Sequence, residues 1–258
     1  MAITDRPTPA KTTTEPAATE RVPMTSLRKT ALVAGVMYLL SFVSIPTLLL
    51  YRAVRAPNYV VGPGPDTAVI VGGALEMIVA LACIGTAVAL YPVVKRQNQG
   101  LALGFVGART LEAATIVVGV ASLLSVVSLR QSGAGTSALA AGQALAAFYS
   151  SIFLLGQSFI PAVNAVLLGS LLYRSRLVPR GLPLLGFAGA ALLLVAFAAS
   201  LPHPGGQQPT LLSLLALPIA VWEFSLGVYL VVKGFRPSPI TATMVAADTR
   251  QASQNPAI

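Results

Sequence analysis

The most constraining stretch is Leu101 to Leu129, an apolar run that carries Arg109 and Glu112 in its interior. A helix needs roughly 20 mainly apolar residues to cross a bilayer, and this run exceeds that. An arginine or glutamate at the centre of such a helix costs roughly 2.5–3.5 kcal/mol. The two are spaced i,i+3, so they leave the same helix face. The rest of the chain must supply that face with a polar partner.

Composition excludes most alternatives. The chain has 258 residues, of which 55% are hydrophobic and only 10% charged. A soluble domain carries about 25% charged residues, so the sequence reads as an all-α polytopic membrane protein. A net charge of +9 suits nucleic acid in some proteins. Here the basic residues sit at the ends of apolar runs, which is a topology signal, and no nucleic-acid partner is expected. Cys83 is the single cysteine and His203 the single histidine. No intrachain disulfide, no ordinary zinc site and no cofactor are therefore expected.

Residues 1–25 are rich in Thr, Pro and Ala and read as a disordered tail. The first apolar run is Thr30–Tyr51, with Pro46 expected to kink its outer end. Arg28 and Lys29 before it also fit a signal peptide, but the run is too long for a typical signal h-region. A retained helix is expected. Arg52–Thr67 reads as a Pro/Gly loop. Further helices are expected over Ala68–Val94, Leu101–Leu129, Leu145–Tyr173, Leu182–Leu201 and Thr210–Val232. Arg130–Ala140 and the segment around Pro202, His203, Pro204 and Gly206 separate them as loops. Residues 236–258 read as a second disordered tail, which leaves 26–235 as a six-helix membrane domain.

Six helices put both termini on one side. That side carries Arg21, Arg28, Lys29, Lys95, Arg96, Arg174, Arg176, Arg180, Lys233 and Arg236, against Arg52, Arg55 and Arg130 on the other. This positive-inside bias predicts cytoplasmic termini in a bacterial inner membrane. Gly100–Gly107 and Gly181–Gly189 resemble each other, and each follows a basic turn. A duplicated hairpin and a shared style of helix start both account for that.

Several stretches carry a family resemblance. They are Ala89-Leu-Tyr-Pro-Val-Val-Lys95 with Ala108-Arg-Thr-Leu-Glu-Ala113, Leu171-Leu-Tyr-Arg-Ser-Arg-Leu-Val-Pro-Arg180, and Leu217-Pro-Ile-Ala-Val-Trp-Glu-Phe224 with Lys233-Gly-Phe235. Across about Leu27 to Phe235 the chain resembles a family of bacterial integral membrane proteins catalogued as domain of unknown function 4386. The resemblance implies a multi-helix membrane domain and carries no activity with it.

Three acidic residues fall inside expected helices: Glu76, Glu112 and Glu223. A rise of roughly 1.5 Å per residue puts Arg109 about 12 Å, Glu112 about 16 Å and Glu223 about 14 Å from the cytoplasmic helix ends. The three depths agree, and Arg109 is expected to bond Glu112, Glu223 or both. Glu76 falls at about 27 Å, so it is expected near the outer end and apart from Arg109. Three glutamates against one arginine leave excess negative charge, so at least one is expected to be neutral or to reach water. Gln157 and Asn164 flank Pro161, and Pro218 precedes Glu223. Both prolines are expected to loosen their helices beside polar neighbours.

Arg109, Glu112, Glu223, Glu76, Asn164 and Gln157 thus form a candidate intramembrane binding cluster. Two functions remain open: small-solute or proton-linked transport or binding, and a non-catalytic scaffold or regulatory protein whose charges staple helices. Catalytic signatures are missing from the sequence: there is no His-Glu-x-x-His and no phosphate-binding glycine loop. An enzyme is not expected. The bilayer is the expected surrounding, with a small solute or proton as the candidate ligand.

Overall fold

The computed structural model describes residues 26–202 and 214–254, with side chains through residue 246. The N-terminal tail, His203, the Pro204–Gln208 loop and the start of the last run at Thr210 lie outside the described residues. Among the described residues the chain is all helical, with no strand.

The first run is a broken rod. Helix α1 spans Ser26–Leu40, a tight 3-10 turn follows over Ser41–Ser44, and α2 covers Thr47–Leu50. Pro46 has no N–H to give and its ring clashes with the carbonyl four residues back. The side chains of Ser41 and Thr47 instead bond the carbonyls of Tyr38 (2.6 Å) and Ser44 (2.7 Å). Such back-bonding bends a helix. Helix α3, Asp66–Val94, begins two residues before the expected start. Helix α4, Gln99–Gln131, is capped by Asn98, whose side chain accepts from the Leu101 amide at 2.9 Å.

The fourth run is longer than expected. A 3-10 turn at Gly135–Ala138 leads into α5, Leu139–Phe153, then a π-helical turn over Leu154–Phe159, then α6, Ile160–Ser175. Pro161 explains the π turn. Its ring displaces the carbonyl of Gln157, and wider i→i+5 bonding accommodates the displacement. Arg176 ends α6 in the left-handed region, φ 56°. Helix α7 is Gly181–Ser200 and α8 is Leu217–Val232. Pro218 stands in the first turn of α8, where proline is tolerated. Leu214 just before it is helical and residues 215–216 form a turn, so the proline follows a break in the helical run. Beyond Arg236 the chain forms α9, Pro239–Gln254, in the stretch that the sequence leaves without expected secondary structure.

Among the described residues five segments are long and apolar enough to cross a membrane: Ser26–Leu50, Asp66–Val94, Gln99–Gln131, Gly135–Ser175 and Gly181–Ser200. Helix α8 is apolar and shorter, at 16 residues. Large apolar side chains such as Leu48, Leu81, Val88, Leu111 and Val195 are exposed around the outside. That arrangement suits a molecule dissolved in lipid and would be a liability in water.

Packing closes a ring. Helix α1 packs on α3, α3 on α4, α4 on α6, α6 on α7, α7 on α8, and α8 back on α1. Helix α5 packs against α4 outside that ring. Glycines set the closest crossings. A Cβ on Gly35 would lie 2.7 Å from the Gly227 carbonyl oxygen, and one on Gly189 would lie 2.7 Å from the Ile219 amide nitrogen. Small residues let helix backbones approach this closely. Between α3 and α4 Val79, Ala80, Cys83, Ala113, Ile116 and Val120 pack into one apolar cluster.

Candidate functional site

The ring has a polar centre, and five of its six helices contribute to it. Arg109 projects from α4 and is 1% exposed. Its Nη1 donates to Glu112 Oε2 at 2.9 Å, one turn along the same helix, and lies 3.6 Å from Glu223 Oε1 on α8. Asn164 on α6 donates through Nδ2 to the same Glu112 oxygen at 2.7 Å. Cys83 on α3 lies with its sulfur 3.7 Å from Arg109 Nη1. Tyr38 on α1 offers its ring to the guanidinium, with the Cζ atom 5.0 Å from the ring centroid. A cation over an aromatic face is attracted by the ring quadrupole.

Each contact has a local cause. The i,i+3 spacing of Arg109 and Glu112 puts them on one helical face. The π turn ahead of α6 re-aims that helix, whose Asn164 is 1% exposed and faces the ring interior. Tyr38 sits in the last turn of α1, three residues before the 3-10 break, and is 1% exposed.

Two features separate this cluster from a simple ion pair. Every polar contact of Arg109 runs through Nη1, while its Nε and Nη2 are buried without a hydrogen-bond partner. Asn164 Oδ1 and Trp222 Nε1 are likewise buried and unpartnered. Two carboxylates also share one guanidinium, which leaves one negative charge in excess. Glu223 is the looser and less buried partner, with its side chain 16% exposed against 8% for Glu112.

Glu76 lies elsewhere. It is 2% exposed and accepts a hydrogen bond from the Tyr149 hydroxyl on α5 at 3.1 Å; its second oxygen has no partner. Tyr51 stands edge-on to Tyr149 with ring centroids 5.6 Å apart, and its hydroxyl is buried and unpartnered. Arg55 lies over the Tyr149 ring, 5.3 Å from Cζ to centroid. Gln157 lies half-buried in the π turn and makes no hydrogen bond to the cluster among the described residues.

A third polar group ties the outer loop down. Asp66 at the start of α3 pairs with Arg130 at the end of α4, with Arg130 Nε to Asp66 Oδ1 at 2.6 Å and a second contact from Arg130 Nη2 to Asp66 Oδ2. Gln131 and the Tyr59 hydroxyl also donate to Asp66, and Arg130 donates to the Gly62 carbonyl. Burial, then the hydrogen bond to Asp66, pushes the Tyr59 hydroxyl up to about 12.

Sequence reasoning missed Tyr38, Cys83 and Tyr149 as neighbours of the charges. One signal was present: Cys83 follows Glu76 by seven residues, two helical turns along the same face of α3. The described residues hold no cluster of three or more His, Cys, Asp or Glu suited to a metal ion.

None of the curated proteins and none of the solved structures matches the chain. A family model described as Domain of unknown function (DUF4386) matches residues 33–234 and so covers the ring of helices, apart from the first two turns of α1, together with its polar centre. On that match the chain belongs to the Domain of unknown function (DUF4386) family.

Proposed function

We propose that the protein binds and carries a small solute, linked to a proton, through the central cluster of Arg109, Glu112, Glu223 and Asn164. The observation that supports this most is the guanidinium of Arg109. It is fully buried, shared by two carboxylates through one nitrogen, and leaves two N–H-bearing nitrogens unpartnered. A group built only to hold helices together has no reason to keep unpartnered donors in a low-dielectric interior, where each costs about 1–3 kcal/mol. The excess carboxylate gives a proton or a cationic group somewhere to sit. Glu76 with Tyr149 is a second, outer station in this reading.

The membrane unit is residues 26–235, with six crossings, α8 being the shortest, and with both termini cytoplasmic in a bacterial inner membrane. The basic turns at Lys95–Arg96 and Arg174–Arg180 support that orientation.

One observation favours the second reading, a scaffold or regulatory protein with a stapling cluster. Glu112 is held on two sides, by Arg109 at 2.9 Å and Asn164 at 2.7 Å. The separating experiment is proton flux in proteoliposomes under an imposed pH gradient, with and without small solutes. Flux through the wild type that is lost in Arg109→Leu/Glu223→Leu supports the transport site. No flux through the folded wild type, with or without solute, supports the staple.

A further inference from the structure

We infer that the solute taken by the central cluster is a small zwitterion, an amino acid that places its carboxylate on the Nε–Nη2 edge of Arg109 and its ammonium on Glu223. This rests on the binding reading above and names its ligand class.

The argument starts from what the cluster lacks. Nε and Nη2 of a guanidinium present parallel N–H groups, the edge that grips a carboxylate bidentately. In Arg109 that edge is buried and unpartnered, because Nη1 alone serves Glu112, Glu223 and Cys83. Trp222 Nε1 is also buried and unpartnered, but it lies against Gly186 on α7 and is no part of this edge. The free groups are mainly donors, so the ligand must offer acceptor oxygens.

Charge then narrows the class. Arg109 with Glu112 is neutral as a pair, and Glu223, when ionised, adds one uncompensated negative charge. A simple anion would satisfy the donors while adding a second uncompensated negative charge in low dielectric. A simple cation would meet Glu223 and leave the Arg109 edge orphaned. A zwitterion satisfies both ends and leaves the net charge of the site unchanged. The two ends have different access. Glu223 is the least buried charge of the three, at 16% side-chain exposure, and Arg109 is closed off at 2%. The ammonium end therefore takes the less buried side of the site and the carboxylate goes deepest.

Trp222 is the only tryptophan in the chain, is fully buried and adjoins Glu223. Its ring packs against Gly186 on α7, so its fluorescence reports on the α7–α8 contact beside the cluster. The test titrates the purified full-length protein in micelles with glycine, alanine and β-alanine, and separately with acetate and with ethylammonium. Ionic strength is held with sodium chloride, and the thermal midpoint is the second readout. The expected result is a saturable fluorescence change and a raised midpoint with at least one zwitterion, and neither with acetate or ethylammonium. Arg109→Lys keeps a cation for Glu112 but lacks the forked edge, so zwitterion binding weakens at least about tenfold. Should that variant fail to fold, Glu223→Gln keeps the shape, removes the ammonium partner and is expected to weaken binding similarly.

The inference is overturned if no zwitterion moves either readout, if acetate alone saturates as well as glycine does, or if both variants bind like the wild type. Silence toward zwitterions, combined with proton flux that requires Arg109 and Glu223, removes the ligand class and keeps the site. Silence combined with no flux in the wild type removes both.

Discussion

Arg109 and Glu223 meet at 3.6 Å, nitrogen to oxygen, from α4 and α8, which stand opposite one another in the ring of six packed helices. Helix α8 packs chiefly on α1 and α7, so this charge contact reaches across the interior instead of along a helix–helix seam. The shorter contact, to Glu112 at 2.9 Å, stays within α4.

That asymmetry sets the first prediction. Removing one partner of a buried pair typically costs about 3–5 kcal/mol, so Arg109→Ala should lower the thermal midpoint in detergent strongly. Recovery should be greater in Arg109→Leu/Glu112→Leu than in Arg109→Leu/Glu223→Leu. Glu112 is the more deeply buried orphan, whereas Glu223 is the less buried of the two. Equal midpoints for Arg109→Ala and the wild type would mean that the guanidinium is already solvated.

The agreement in depth among Arg109, Glu112 and Glu223 was legible in the sequence because a helix is a rigid ruler with a fixed rise. Depth says nothing about azimuth or about which helices are neighbours. Asn164 and Gln157 look equivalent from sequence, one on each side of Pro161. The π turn separates them, sending Asn164 to Glu112 and leaving Gln157 apart. The tyrosines were illegible for a different reason. Tyr38, Tyr51 and Tyr149 sit in or beside apolar runs, where an aromatic reads as an interface anchor or as core. Their role appears only once the ring brings α1 beside α4 and folds the Tyr51 loop against α5. The Asp66–Arg130 contact joins residues 64 apart, across two helices whose lengths must match before the pair can meet.

A second prediction concerns orientation. Cys83 is 2% exposed, so single cysteines can be added with little background labelling. Positions in Arg52–Thr67 and Gly133–Thr136 should react with an impermeant thiol reagent in intact cells. Asn98 and Arg180, both exposed on the opposite face, should react only after lysis. Ser175 is a poor reporter, because it is buried at 5% exposure. Labelling of Asn98 in intact cells would invert or break the six-crossing assignment.

A third prediction tests the glycine crossings. The Cβ of Gly189→Ala would meet the backbone of Ile219, which cannot rotate away. Overpacking of this kind costs about 1–3 kcal/mol, and Gly189→Val should cost more than Gly189→Ala. A methyl group at Gly107 would meet nothing within 4 Å, so Gly107→Ala should be neutral or stabilising by up to about 1 kcal/mol through helix propensity. Thermal midpoints of the three variants, measured in the same detergent, decide it. Similar losses at Gly107 and Gly189 would contradict the close α7–α8 approach.

A fourth prediction concerns the outer loop. Asp66 receives hydrogen bonds from Arg130, Gln131 and Tyr59, and Arg130 also bonds the Gly62 carbonyl. Arg130→Ala should leave the bundle folded while raising amide hydrogen exchange in Tyr59–Gly64, since the pair sits at the surface and anchors only that segment. Exchange that rises equally in α3 and α4 would show that the pair holds the helices themselves.

The last prediction separates the outer acid from the central one. Tyr149 donates to Glu76 Oε1, and no cation bonds the carboxyl directly among the described residues. Tyr149→Phe deletes the donor and strands a buried oxygen, a loss of about 1–3 kcal/mol. Glu76→Gln keeps an acceptor oxygen for Tyr149 and removes any charge, so it should cost less. Neither change removes a bond of Arg109, and the two sites share no hydrogen-bond partner among the described residues. Effects on stability should therefore add when Tyr149→Phe is combined with Glu223→Gln, within about 0.3–0.5 kcal/mol. A double-mutant cycle on thermal midpoints measures this directly. A coupling clearly beyond that margin would mean that the packing of α3 on α4 transmits between the sites, and that the two acids belong to one network.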